Sequence, residues 1–222
     1  MNGLEFCARI GLGPSMLGLC GKKDSSKILN DYLTNKDIDN LTLMNHLSEF
    51  KTMQPFLKLI SENFNLDIYD YKVVEAYWIG NELIDKINHN GLKKIYDNNQ
   101  ENLPTHLYYV FYTFLNKEGI NIKHANLCAP LVYKVKEINE TEILAEYNPI
   151  IKDDFLMLGN VQTKNLRYNK SFLPSLSVND YVLVHWNMPC IKLTKNQKIN
   201  HEKYLHKTLK LLNSFISSSS NF

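Results

Sequence analysis

The sequence predicts an α+β protein: a mainly helical N-terminal domain over residues 1–125, then a small, OB-like β-barrel with a terminal helix over residues 126–222. Three observations predict it. Apolar residues recur at helical spacing between Ser25 and Leu115. From Leu127 the period changes to two, in short runs separated by turn residues. Leu205, Leu209 and Leu212, spaced by four and three, then return the chain to a helix.

Composition bounds the function classes. Apolar residues at 44% and charged residues at 22% describe an ordinary globular chain. The net charge of +2, from 25 basic and 23 acidic residues, is too small to favour nucleic acid or an anionic membrane as partner. No apolar run approaches the roughly 20 residues that span a bilayer, and no basic-then-apolar leader opens the chain. A cytoplasmic location is the expectation. The four cysteines, Cys7, Cys20, Cys128 and Cys190, form no C-x-x-C pair and suggest neither a structural zinc site nor a disulfide framework.

In chain order, Glu5 to Gly21 is rich in glycine but fits no phosphate loop, because Leu19 rather than lysine follows Gly18. It reads as a buried turn or loop ending at Cys20, with Cys7 and Cys20 as core cysteines. Ser25 or Ser26 caps a short helix, Lys27 to Leu33. Asp39 or Asn40 caps the next, with Leu43, Leu47 and Phe50 on one face. Pro55 suits the first turn of a helix to Phe64. A longer helix runs from Asp67 or Asp70 to about Ile87, with Val73, Val74, Tyr77, Ile84 and Ile87 as its stripe, and Asn88 to Gly91 stops it. On that helix Glu75 and Glu82 share a face around Trp78; such a pair can bind metal or share a proton, but is more often a solvated face. Thr105 caps the aromatic segment to Leu115, a helix in which His106 reads as a core or cap residue, or one aimed into a cavity. Residues 116–126 read as a linker.

Strand candidates follow at Leu131–Ile138, Glu142–Tyr147, Phe155–Val161 and Tyr181–His185. The last opens after the Asn179-Asp180 turn and delivers His185 and Trp186 to a second turn, closed by Pro189 and followed by the apolar run Cys190 to Leu193. Cys190 either joins a Cys/His corner or lies in the core.

Two stretches carry a resemblance. Cys128 precedes Lys134-Val135-Lys136-Glu137-Ile138, and Asn179-Asp180-Tyr181-Val182-Leu183-Val184-His185 comes later. Over roughly residues 127–213 this resembles the small β-barrel chaperones of nickel–iron hydrogenase maturation, the HypC/HupF type. That resemblance implies a metal site at Cys128 and His185 for iron held transiently as a unit carrying cyanide and carbon monoxide. It also implies a partner contact through Cys128, His185 and Trp186, the partner being a maturation protein or a hydrogenase large-subunit precursor. Soft thiolate ligation suits such iron, and two protein ligands leave its shell incomplete, which points to a carrier or chaperone rather than an enzyme. The opening Leu17-Gly18-Leu19-Cys20-Gly21, with Glu75-Ala76-Tyr77-Trp78, resembles an uncharacterised prokaryotic family that has no assigned activity.

Two alternatives stand beside the carrier. One is an enzyme with Cys128 as nucleophile and His185 as base. The other is a non-catalytic binding module of unknown ligand; nucleic acid on its aromatic residues is disfavoured by the near-neutral charge. The expectation common to the metal and enzyme readings is that a sulfur from the first barrel strand and an imidazole from a later one meet at an accessible rim.

Overall fold

The glycines near the start mark close packing rather than a loop. Helix α1 runs Gly3–Met16, and its Asn2 cap accepts the Glu5 N–H at 2.8 Å. At Gly13 an added Cβ would stand 3.0 Å from the His185 carbonyl oxygen, so only glycine lets this helix approach that backbone. The computed structural model describes residues 1–34 and 36–219. Helices α2 (Ser25–Leu33), α3 (Asn40–Leu47), α4 (Gln54–Phe64), α5 (Tyr71–Trp78), α6 (His89–Tyr96), α7 (His106–Asn116) and α8 (Ile122–Cys128) follow. Asp39, Asp70, Thr105 and Asn121 cap α3, α5, α7 and α8 through side-chain acceptors.

Three helical expectations are corrected. Helix α5 ends at Trp78, not near Ile87, because Gly80 (φ +96°) passes under Tyr204, whose ring would lie 2.1 Å from any Cβ there. Glu82 therefore lies beyond the helix and is exposed, so it shares no helix face with Glu75. Asn88 caps α6 rather than only stopping its predecessor, and the supposed linker contains α8.

The second half is an antiparallel sheet of β1 (Leu131–Ile138), β2 (Glu142–Tyr147), β5 (Gln162–Arg167), β6 (Tyr181–His185) and β7 (Met188–Lys192), in the order β5-β2-β1-β6-β7. A separate hairpin pairs β3 (Ile150–Lys152) with β4 (Leu156–Leu158). The expected barrel does not close: among the described residues no ladder joins the edge strands β5 and β7. The reason lies in the helical half. Helix α1 packs against β6 and β7, and the Arg9 guanidinium donates to the Phe172 carbonyl, holding the segment between β5 and β6 against α1. Apolar surface that a small barrel would bury inside itself is buried here under a helix.

Helix α9 (Lys195–Ser219) ties the halves together. Gln197 donates to Glu75 at 2.8 Å and to the Tyr71 hydroxyl at 2.7 Å, and the Tyr204 hydroxyl donates to the Asn81 carbonyl at 2.6 Å. One hydrophobic core runs through both halves, from Phe6, Leu12 and Tyr77 to Val135, Val182 and Leu183. No described helix is long and apolar enough to cross a membrane.

Candidate metal centre

The first residue of α7, the last of α8 and the last of β6 meet at one point. His106, Cys128 and His185 each offer a ligand atom there, and these atoms lie within 4.8 Å of one another. His106 follows the Thr105 cap, so the start of α7 fixes its direction. Its Nδ1 is 2.7 Å from the Tyr77 hydroxyl and its Nε2 is 3.7 Å from the Cys128 sulfur.

His185 is placed by a strained turn and a helix defect. Trp186 (φ 51°) and Asn187 (φ 62°) are both left-handed between β6 and β7, the backbone of a type I′ hairpin. Asparagine accepts that conformation readily, whereas a bulky tryptophan does so at a cost. The Trp186 N–H donates to the Leu127 carbonyl at 2.7 Å, which fastens the turn to the end of α8 beside Cys128. Within α1, Pro14 has no N–H to give to the Ile10 carbonyl four residues earlier. His185 fills that vacancy: its Nδ1 lies 2.9 Å from the Ile10 oxygen and must be the protonated nitrogen, since a carbonyl only accepts. Its Nε2 is left as a buried lone pair without a partner.

The three groups line a cavity of about 290 Å³ together with Cys20, Tyr77 and Trp78. Trp78 lies against both imidazoles, with ring centroids 4.6 Å from His106 and 5.6 Å from His185. Burial pushes the Cys128 thiol up to about 12 and His185 down to about 4, the Ile10 carbonyl opposing the latter; burial and then His185 hold His106 well below its ordinary value. The Trp186 indole N–H has no partner of normal hydrogen-bond geometry, yet it lies near enough to the Cys128 sulfur to favour its thiolate. All three donors are therefore neutral near pH 7. Such a site suits a cation that displaces the thiol proton better than a thiolate–imidazolium pair.

Cys128 and His185 are thus together, but not as a strand-borne pair on an open rim. Cys128 closes α8 instead of the first strand, and His185 is only 2% exposed. Trp186 is half-buried in its turn. His106 is buried and paired with Tyr77, as a core histidine would be, and it also lines the cavity, where it stands with Cys128 and His185 as a third group able to hold a metal. A histidine directly after a Pro-Thr helix start was the signal available, and nothing in the sequence ties it to Cys128. Cys190 is buried outside the cavity and its thiol donates to the Met188 carbonyl at 3.0 Å; Cys7 is buried in the core. Glu75 accepts from Gln197, Tyr71 and Asn81, so its carboxylate serves packing between α5 and α9.

No curated protein and no solved structure matches the chain. One family model does, over residues 1–219, and it is that of a family of unknown function, DUF6390. It spans both halves and gives no link to the hydrogenase-maturation chaperones. The chain belongs to this family of unknown function.

Proposed function

We propose that this family member is a metal-site accessory protein, holding a transition-metal ion or a small metal–ligand unit between His106, Cys128 and His185. One observation carries the proposal. Both imidazoles are fixed through Nδ1, by Tyr77 and by the Ile10 carbonyl, while one ring nitrogen of each lies within 4.8 Å of the other and of the Cys128 sulfur. Ligating histidines are oriented in this way by outer partners. Bonds of about 2.3 Å to sulfur and 2.0–2.1 Å to nitrogen place tetrahedral S and N donors roughly 3.5 Å apart. The 3.7 Å between Cys128 and His106 already approaches that spacing.

One thiolate with two imidazoles selects zinc, iron or copper over magnesium or calcium. Iron carrying cyanide and carbon monoxide is the cargo that the resemblance over residues 127–213 suggests, passed between a maturation protein and a hydrogenase large-subunit precursor. Donor softness supports that version, as does a cavity beside the donors with room for small ligands. A cysteine nucleophile is less well served. The buried thiol stands at about 12, and His185 is oriented by a backbone carbonyl rather than by a carboxylate.

The test is metal retention by the full chain purified without oxygen. About one metal per chain is expected. Changing His106, Cys128 or His185 to alanine should weaken binding by more than the roughly 10- to 100-fold that loss of an outer partner costs. Infrared bands of iron-bound carbon monoxide and cyanide would select the iron version. Retention equal to that of the triple-alanine variant would sink the metal reading.

A further inference from the structure

Cys20 lies on the same cavity as the three donors, carried by the segment between α1 and α2. This segment begins where α1 ends: the Leu19 N–H donates to the Pro14 carbonyl at 2.9 Å and the Gly18 N–H to that of Ser15 at 3.1 Å. Its far end is held by the Lys22 N–H on the Ser25 hydroxyl at 3.0 Å. Between these ties Leu17 and Leu19 point outward, 59% and 51% exposed, while Cys20 is half-buried at the cavity wall. The segment therefore turns its sulfur to the cavity wall and leaves both leucines outside.

Three protein donors leave a four-coordinate ion one short, and the His185 Nε2 is buried beside this cavity with no hydrogen-bond partner. Cys20 lines the same cavity as Cys128, yet it is outside the group of atoms within 4.8 Å. We propose that Cys20 is the closing donor of this site: its thiolate takes the fourth position on a divalent ion, and an incoming ligand competes with it for that position. The inference rests on the metal reading above and deepens it. With Cys20 bound, the ion is enclosed by two thiolates and two imidazoles. With Cys20 released, one position opens to a small anion or to a partner's donor. Each thiol that binds forms one metal–sulfur bond and gives its proton to solvent, so loading the ion releases one proton from Cys128 and closure releases a second from Cys20. No change of oxidation state is involved.

The test uses the full chain loaded with Co²⁺ under anaerobic conditions, with X-ray absorption and the thiolate-to-cobalt charge-transfer band as readouts. Wild type should show two sulfur neighbours. Cys20→Ser should keep the metal but show one, with the charge-transfer intensity about halved, and it should bind azide more tightly than wild type does. Because Cys20 is on a half-exposed loop, this variant is expected to fold, and its circular dichroism checks that. One sulfur neighbour in both proteins, with equal azide affinity, overturns the role of Cys20 while leaving the three-donor site intact. No Co²⁺ bound by wild type removes the underlying metal reading instead.

Discussion

At the scale of single residues the buried histidines make a pH prediction with a definite sign. His106, His185 and His201 all sit below their ordinary value, burial being the first cause in each; the His201 Nε2 is paired with the Pro130 carbonyl at 2.8 Å. In the unfolded chain a histidine titrates near 6.5. Below that pH the unfolded state takes up protons that the folded state refuses, so stability falls as pH drops. For His185 the loss begins near 6.5 and levels off near 4, and amounts to roughly 3 kcal/mol. Denaturant midpoints of the metal-free chain should therefore be flat between about pH 7 and 8 and fall steeply from 6.5 to 4. Replacing His185 with glutamine should flatten part of that fall. A midpoint unchanged across this window would mean that the imidazole is not held neutral by its surroundings.

Elements show why some of this was legible and some was not. Caps and stripes locate α3, α4 and α7, because Asp39, Pro55 and Thr105 act locally and leave a local signature. The strands β1, β2 and β6 announce themselves by alternation. Helix α1 does not, since its glycines serve distant surfaces: Gly13 answers to the His185 backbone, 172 positions away. For the same reason the open sheet is hidden, its cover being a helix from the other end of the chain. The site was half legible. The Cys128 and His185 stretches carried a pattern, but His106 acquires its role only when α5, α7 and β6 pack around Trp78. Proline inside α1 joins these scales. Pro14→Ala would restore an N–H that competes with His185 for the Ile10 carbonyl. The helix alone should gain, since an interior proline costs about 3 kcal/mol. Metal affinity should fall, and nitrogen NMR of His185 should show the Nε2-protonated tautomer appearing. Unchanged tautomer and affinity would reduce Pro14 to a helix kink.

For the whole molecule, the continuous core decides how the chain comes apart. Sequence periodicity places a boundary at residues 125 and 126, yet α8 runs through it and α9 returns from the sheet to bond α5 through Gln197 and the turn after α5 through Tyr204. The sheet face under α1 would be exposed in an isolated C-terminal half, and an open sheet with uncovered apolar surface is a poor independent folder. One unfolding transition is therefore expected for all 222 residues. Far-UV circular dichroism reports mainly the helices. Tryptophan fluorescence reports the site from both sides, through Trp78 at the end of α5 and Trp186 in the β6–β7 turn. The two curves should coincide in urea, and saturating Zn²⁺ or Co²⁺ should shift both together, because an ion bound only by the folded state stabilises every part that must fold to make its site. His106 and Cys128 come from the helical half and His185 from the sheet, so an ion cannot be held unless both halves are in place. Separate transitions, with metal moving only one of them, would mean that the donors assemble within one half, contrary to the geometry that brings α7, α8 and β6 to a single point.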